Sequence, residues 1–322
     1  MAQPFARTGV VSRTFEAASR NMAFQDWVAI GFHLFMWLRV TAAPDGPDAS
    51  FARRLSGLLL TITLTTVVLV RGEMIRSERV RALLYRVGLF FPMVGSYFVL
   101  KWLLPALHPQ LVDGHLMRLD LAILGVTPSV WMAHFNTPPV VEWFSFFYYS
   151  YFYMLGAILL PMLFFARERK PLQELMVGTL LICAIGHIGY TLVPGVGPHA
   201  TLPFAEPVNG GFFWSLIVAT VDGAGAQMDI FPSLHTAYPT FFAIYAFTHR
   251  DHPVFRWAWP VIALFAMNMV IATMFLRWHW FVDVLAGFAT AIVAWQLSLA
   301  AARREVDRDV DEERQPVWES VR

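Results

Sequence analysis

The chain has 322 residues, of which 57% are hydrophobic and 15% charged, with a formal net charge of +1 at pH 7. Soluble domains carry about 25% charged residues, so this depletion excludes an ordinary soluble domain, and the near-neutral balance gives no electrostatic case for a nucleic-acid partner. The single cysteine, Cys183, lies inside an apolar run, which excludes a disulfide framework and denies a thiol enzyme the polar surroundings that a thiolate needs.

Residues 1–24 carry Arg7, Arg13 and Arg20 but no short apolar core with a small-residue cleavage site, and they read as a cytosolic tail. A hydrocarbon core about 30 Å thick takes roughly 20 helical residues. The apolar runs predict spans near 25–42, 56–71, 84–106, 143–165, 172–193, 232–249, 256–276 and 279–301. The expected fold is therefore all-α, a polytopic membrane helix bundle of about eight transmembrane helices. Asp26 and His33 interrupt the first run, so whether it spans stays open. Residues 25–83 form two accessory spans with a cytosolic loop, 84–301 the main membrane domain, and 302–322 a charged, mobile cytosolic tail.

With the N-terminus taken as cytosolic, only Arg39, Arg53, Arg54, Lys101, Arg118 and Arg277 of the 24 Lys and Arg residues fall outside. The positive-inside rule favours this orientation, with both termini cytosolic. Two long connections, 107–142 and 194–231, then lie on the outer side. Loops of that length are usually functional or disordered, and Phe212-Phe213-Trp214 predicts that the second dips back toward the bundle.

The unusual polar residues gather at the same outer rim. Lys101 ends one span, Pro194 to His199 follow another, Ser233 and His235 open a third, and Arg277 and His279 occupy a tight turn. Ionisable groups at membrane depth are costly and point to function. His279 and Asp283 are four apart at a helix start and share a face. A carboxylate there accepts the Nδ1–H and leaves Nε2 free to attack an electrophile such as phosphorus; a capping Asp beside an interfacial His fits the spacing equally well. Pro232-Ser233 before an apolar helix signals an N-terminus, with Ser233 as cap and free N–H groups that suit a phosphate. His235 on that turn is placed for acid–base work. Arg277 and Lys101 are the candidate phosphate clamp, Arg as a fork and Lys as a point charge, with Arg277 the stronger candidate and snorkelling to the interface the competing reading of Lys101. His199 and Asp229 are further loop contributors. His187 reads as a hydrogen-bonded core residue, and Tyr148, Tyr149, Tyr151 and Tyr153 as an aromatic belt. No carboxylate cluster or His-x3-His pair offers a metal site.

These residues resemble the type 2 phosphatidic acid phosphatase superfamily, and most closely its inositolphosphotransferase-type branch, which includes inositol phosphorylceramide synthases. The matching pieces are Gly186-His187-Ile188-Gly189-Tyr190, then Pro194 and Gly197-Pro198, Phe231-Pro232-Ser233-Leu234-His235, and His279-Trp280-Phe281-Val282-Asp283 ending at Gly287. Spaced Tyr97, Asp120, Gly125 and Pro128 look like that branch too, and the resemblance covers roughly 84–301. It implies a six-helix catalytic core and a phosphohistidine intermediate without metal or cofactor. It also implies His279 as nucleophile, Asp283 as its orienter, His235 as acid/base, and Tyr190 beside the site. The pattern departs in places: Lys101 is followed six residues later by His108-Pro109 rather than Arg-Pro, Ala272-Thr273 stand for the usual Ser-Arg, and Leu234 stands for Gly.

The expected function is a lipid phosphatase or phosphotransferase at the extracytoplasmic face. Its substrates would be membrane lipids: a phospholipid, inositol lipid, sphingolipid or polyprenyl phosphate. The competing reading is a non-catalytic lipid-binding protein or transporter on the same bundle.

Overall fold

A computed structural model describes residues 5–46, 48–107, 110–224, 227–312, 314 and 316–318; the His108-Pro109 pair lies outside them. Among the described residues the chain is all-helical apart from one isolated bridge, Gly195 with Asp229. In order the helices are α1 (Phe5–Asn21), α2 (Phe24–Ala42), α3 (Ala49–Arg71), α4 (Glu78–Leu107), α5 (Asp113–Leu124), α6 (Pro128–Met132), α7 (Pro138–Tyr149) and α8 (Tyr151–Phe165). They continue with α9 (Arg169–Leu192), α10 (Pro198–Thr201), α11 (Phe212–Ala224), α12 (Leu234–Thr248), α13 (Pro253–Phe275) and α14 (Phe281–Asp311).

Among the described residues, six units are long and apolar enough to cross a membrane: α3, α4, α7 with α8, α9, α13 and α14. They match six of the eight predicted runs. The other two are α2, which carries Asp26 and His33, and α12, only 15 residues long. Short as it is, α12 packs against α13, α14 and α9 and stands inside the bundle. The chain is an integral membrane protein. In lipid, apolar surface gains little by leaving one hydrocarbon environment for another, so close fit and internal polar contacts hold such helices together. Gly287 shows the fit: a Cβ there would come within 2.6 Å of the Ser233 carbonyl, so only glycine lets α14 press onto the start of α12.

Two segments differ from expectation. The connection 107–142 is largely helical, because Gly125 ends α5 in the left-handed region at φ 72° and Pro128 starts α6. The α5 axis meets that of the 128–135 helix at a bend of 74°. Nor is the C-terminal segment a loose tail. The α14 helix continues to Asp311, and Trp318 is 2% exposed, its ring edge-on to Tyr85 at 5.2 Å and its carbonyl accepting from Arg86 at 3.2 Å.

At this C-terminal end of α14 lies a buried ionic cluster. The Arg71 guanidinium meets Asp26 at 2.7 Å and Glu305 at 2.9 Å, and donates to the Tyr85 hydroxyl at 2.7 Å. Tyr85 donates to Asp26 at 2.6 Å, and Gln25 and Gln173 donate to Glu305. Four spans, α3, α4, α9 and α14, are joined there to α2.

Candidate functional site

The opposite end of α14 begins in a tight turn. Trp278 N and His279 N both donate to the Thr273 carbonyl, at 3.0 and 3.1 Å, and Arg277 takes a positive φ of 70°. A non-glycine residue in that region is uncommon and stores strain. The turn swings His279 onto the wall of a cavity of about 280 Å³, lined also by His235, His199, Asp229, Tyr97 and Trp278.

His235 stands on the first turn of α12, whose cap is Ser233, its Oγ accepting from Thr236 N at 3.3 Å. The His235 ring stacks on Tyr148 at 4.5 Å and lies against Tyr151 at 4.4 Å. The centroids of His235 and His279 are 5.8 Å apart. The two histidines named from sequence therefore face one cavity. Behind His279, Nδ1 stands 3.4 Å from Asp283 Oδ2. That carboxylate oxygen also accepts Trp280 N at 2.9 Å, so Asp283 caps its own helix as well. Nδ1 has no hydrogen-bond partner among the described residues; its contact with Asp283 is electrostatic. Burial pushes the His279 imidazole down to about 4, against the pull of Asp229 and the Ile230 backbone. Burial likewise lowers His199, and raises Asp229 despite the hydrogen bond from Tyr97.

The predicted clamp is placed elsewhere. Arg277 is buried with its guanidinium 3.8 Å over the Phe204 ring, donating to the Glu206 carbonyl at 2.8 Å. It lines a neighbouring cavity of about 380 Å³, which shares His199, Gln227 and Trp278 with the first. Lys101 donates to the Gly223 carbonyl at 3.1 Å, at the C-terminal end of α11. No lysine or arginine among the described residues lines the histidine cavity. Ser233 is fully buried as a cap and Tyr190 lines an apolar compartment described below. His187 is a core residue, its Nδ1 2.8 Å from Ser96 Oγ.

The tyrosines correct the sequence reading. Tyr148 and Tyr151, three apart and so on one helical face, point onto His235, while Tyr153 remains largely exposed.

The roof of the cavity is α11, through Ile217, Thr220 and Val221. It is held at both ends: Glu142 of α7 accepts the amides of Gly211, Phe213 and Trp214 at 2.8, 2.9 and 3.1 Å, and Lys101 of α4 takes the far carbonyl. Below, a second cavity of about 240 Å³ runs between α4 and α8, walled by Phe90, Val94, Leu155, Leu159 and Leu160. The two cavities share Tyr97, Phe152, Asp229 and His235. Phe152 and Leu160 are 57% and 53% exposed on the lipid side.

Two carboxylates that sequence reasoning underused stand beside the His279 turn. Asp120 accepts Phe281 N at 2.9 Å and Val282 N at 3.0 Å, taking the open amides at the start of α14. Asp113 accepts the Trp280 indole N–H at 2.9 Å, Gly197 N at 2.7 Å and Val196 N at 3.0 Å. Gly197, at φ 85°, lies so close to the Trp278 carbonyl that a Cβ would fall 2.1 Å from it. Asp113 and Asp120 are seven apart on one short helix, two turns along the same face, and that spacing was a readable signal.

This is a membrane bundle with a histidine pair in a rim cavity that continues into an apolar compartment. The chain belongs to the PAP2 superfamily, whose family model matches residues 114–297. It is also similar to the phosphoinositol dihydroceramide synthase of Bacteroides thetaiotaomicron, at 27% identity over 150 residues, an overlap of 41% of this chain and 47% of that protein. The chain thus aligns with about half the length of this curated relative. No solved structure matches it.

Proposed function

We propose that the protein is a lipid phosphotransferase or phosphatase that works through a phosphohistidine on His279. The observation that carries this reading is the pair of histidines 5.8 Å apart over one cavity, with Asp283 3.4 Å behind His279. Because burial keeps the His279 imidazole neutral at pH 7, its lone pair is available for attack on phosphorus. Asp283 stabilises the positive charge that develops on the ring. His235 protonates the leaving oxygen and then receives the proton of the incoming alcohol or water, which enters from the same side.

The substrate is a membrane lipid with its chain in the apolar compartment between α4 and α8 and its phosphate at the histidines. The neutral donors His199 and Trp278 replace a cationic clamp: His199 Nδ1 and Trp278 Nε1 are buried with no partner among the described residues. The charge distribution supports an extracytoplasmic face for this site. The relative's name, with its inositol and ceramide parts, favours transfer of a phosphorylated headgroup to a lipid alcohol.

The test is His279→Gln in purified protein, assayed on a panel of lipid phosphomonoesters and phosphodiesters. Turnover is expected to fall at least about 1,000-fold, as when a nucleophile is lost, and the acid-labile phosphoenzyme trapped by rapid quench to disappear. A folded His279→Gln protein that still turns over at the wild-type rate would sink the proposal.

A further inference from the structure

The His279 turn has no regular ladder to hold it. It lies between α13 and α14, one residue of it is in the left-handed region, and the first amides of α14 have no partner within their own helix. What meets those needs is α5. Asp120 takes two successive amides of α14 through its two oxygens. Two turns earlier, Asp113 joins the Trp280 indole, one residue from His279, to the backbone of Val196 and Gly197. That loop in turn lies on the His279 turn: His199 N donates to the Arg277 carbonyl at 2.8 Å. Both aspartates and Trp280 are buried to 2% exposure or less. Five hydrogen bonds from two carboxylates thus connect the nucleophile's turn, the His199 loop and α5.

We infer that Asp113 and Asp120 form a two-carboxylate clamp by which α5 positions His279 against His235 and keeps water from its imidazole. They are positioning residues, since neither lines the cavity. The inference rests on the reading of His279 as nucleophile. Carboxylates suit the task because each oxygen accepts without donating, so one side chain satisfies two or three amides, and charge-assisted bonds of this kind are the stronger ones. Reacting groups must be held to a fraction of an ångström, and displacing them by about 1 Å costs on the order of 100-fold in rate.

The clamp also bears on the state of His279. Asp229, Asp283, His235 and His199 face or neighbour this ring, and burial is the dominant influence on it. A loosened turn admits water and returns the imidazole toward its ordinary value of 6.5.

The test uses Asp120→Asn and Asp113→Asn in the full-length protein, with Trp280→Phe, which removes the indole N–H while keeping a large ring. For Asp120→Asn we expect kcat to fall at least tenfold with KM within twofold, and the acid limb of the kcat/KM profile to move toward higher pH. Hydrogen–deuterium exchange over residues 278–284 should accelerate more than over the rest of α14. Asp113→Asn and Trp280→Phe are expected to cause smaller losses that do not multiply in the double variant, because both cut the same bond. The clamp is refuted if Asp120→Asn retains wild-type kcat and exchange. It is also refuted if activity falls only in proportion to the unfolded fraction, with the acid limb unmoved. Exchange is read without turnover, so a failure of the phosphohistidine reading would leave the acceleration in place, whereas a failure of the clamp would abolish it.

Discussion

Asp283 and Glu305 lie on the same helix, about 33 Å apart at 1.5 Å per residue, and each is a buried carboxylate beside a basic side chain. At the C-terminal end of α14 every carboxylate oxygen of Asp26 and Glu305 has a donor, supplied by Arg71, Tyr85, Gln25, Gln173 or the Ala23 amide, and the neighbouring void is only about 10 Å³. At the N-terminal end Asp283 Oδ1, His279 Nδ1, His199 Nδ1 and Trp278 Nε1 lack partners among the described residues, and a cavity of about 280 Å³ is lined by His279, His199 and Trp278. Buried polar groups are normally satisfied. Matched charge without space is a fastening; unmatched polarity around space awaits a ligand. Composition alone does not separate the two, because both ends use the same residue types.

Breaking the Arg71 cluster should affect stability and spare chemistry. Arg71→Ala leaves Asp26 and Glu305 as uncompensated buried charges, which typically costs about 3–5 kcal/mol. We expect a large drop in the unfolding midpoint in detergent, with the specific activity of the folded fraction unchanged. An unaltered midpoint would contradict the contrast.

The pH dependence sharpens it from the other side. His279 is lowered in the folded state from 6.5 to about 4, so between those values the unfolded chain binds the proton that the folded chain refuses. Its contribution is whole above pH 6.5 and declines as pH falls toward 4, by about 3 kcal/mol in all at 1.36 kcal/mol per pH unit. His279→Gln should therefore flatten the loss of stability between pH 6.5 and 4, measured by denaturant unfolding. A stability profile identical to wild type would place the proton elsewhere.

Two smaller effects test the walls of the site. Gly156 lines the apolar compartment, where an added Cβ would meet only the flexible end of Leu160, at 3.8 Å. Gly156→Leu should raise KM for long-chain lipids about tenfold while leaving short-chain analogues within twofold, an asymmetry that pocket filling alone produces. Lys101→Met removes one cap on α11, and KM for lipid phosphates should change less than twofold. A tenfold rise would restore Lys101 to the phosphate clamp expected from sequence.

Much of this was legible in the residues. Six apolar runs are spans, and the segments around His235 and His279 sit at helix starts, because hydropathy and N-terminal signals are local properties. The directions of Arg277 and Lys101 were not legible. Each is drawn to a carbonyl supplied by a distant stretch, Glu206 and Gly223, and sequence distance carries no trace of that pairing. Tyr148 and Tyr151 share a face by their spacing, but the ring that they meet, His235, comes from a distant stretch. Asp120 was noticed through resemblance, but its partners, the amides of Phe281 and Val282, are 161 and 162 residues away.

The roof helix α11 has one further implication. It is pinned to α7 by Glu142 and to α4 by Lys101, and the apolar compartment opens between α4 and α8, the direct continuation of α7. A change in the spacing of those helices would therefore move both pins together, and with them the ceiling over the histidines.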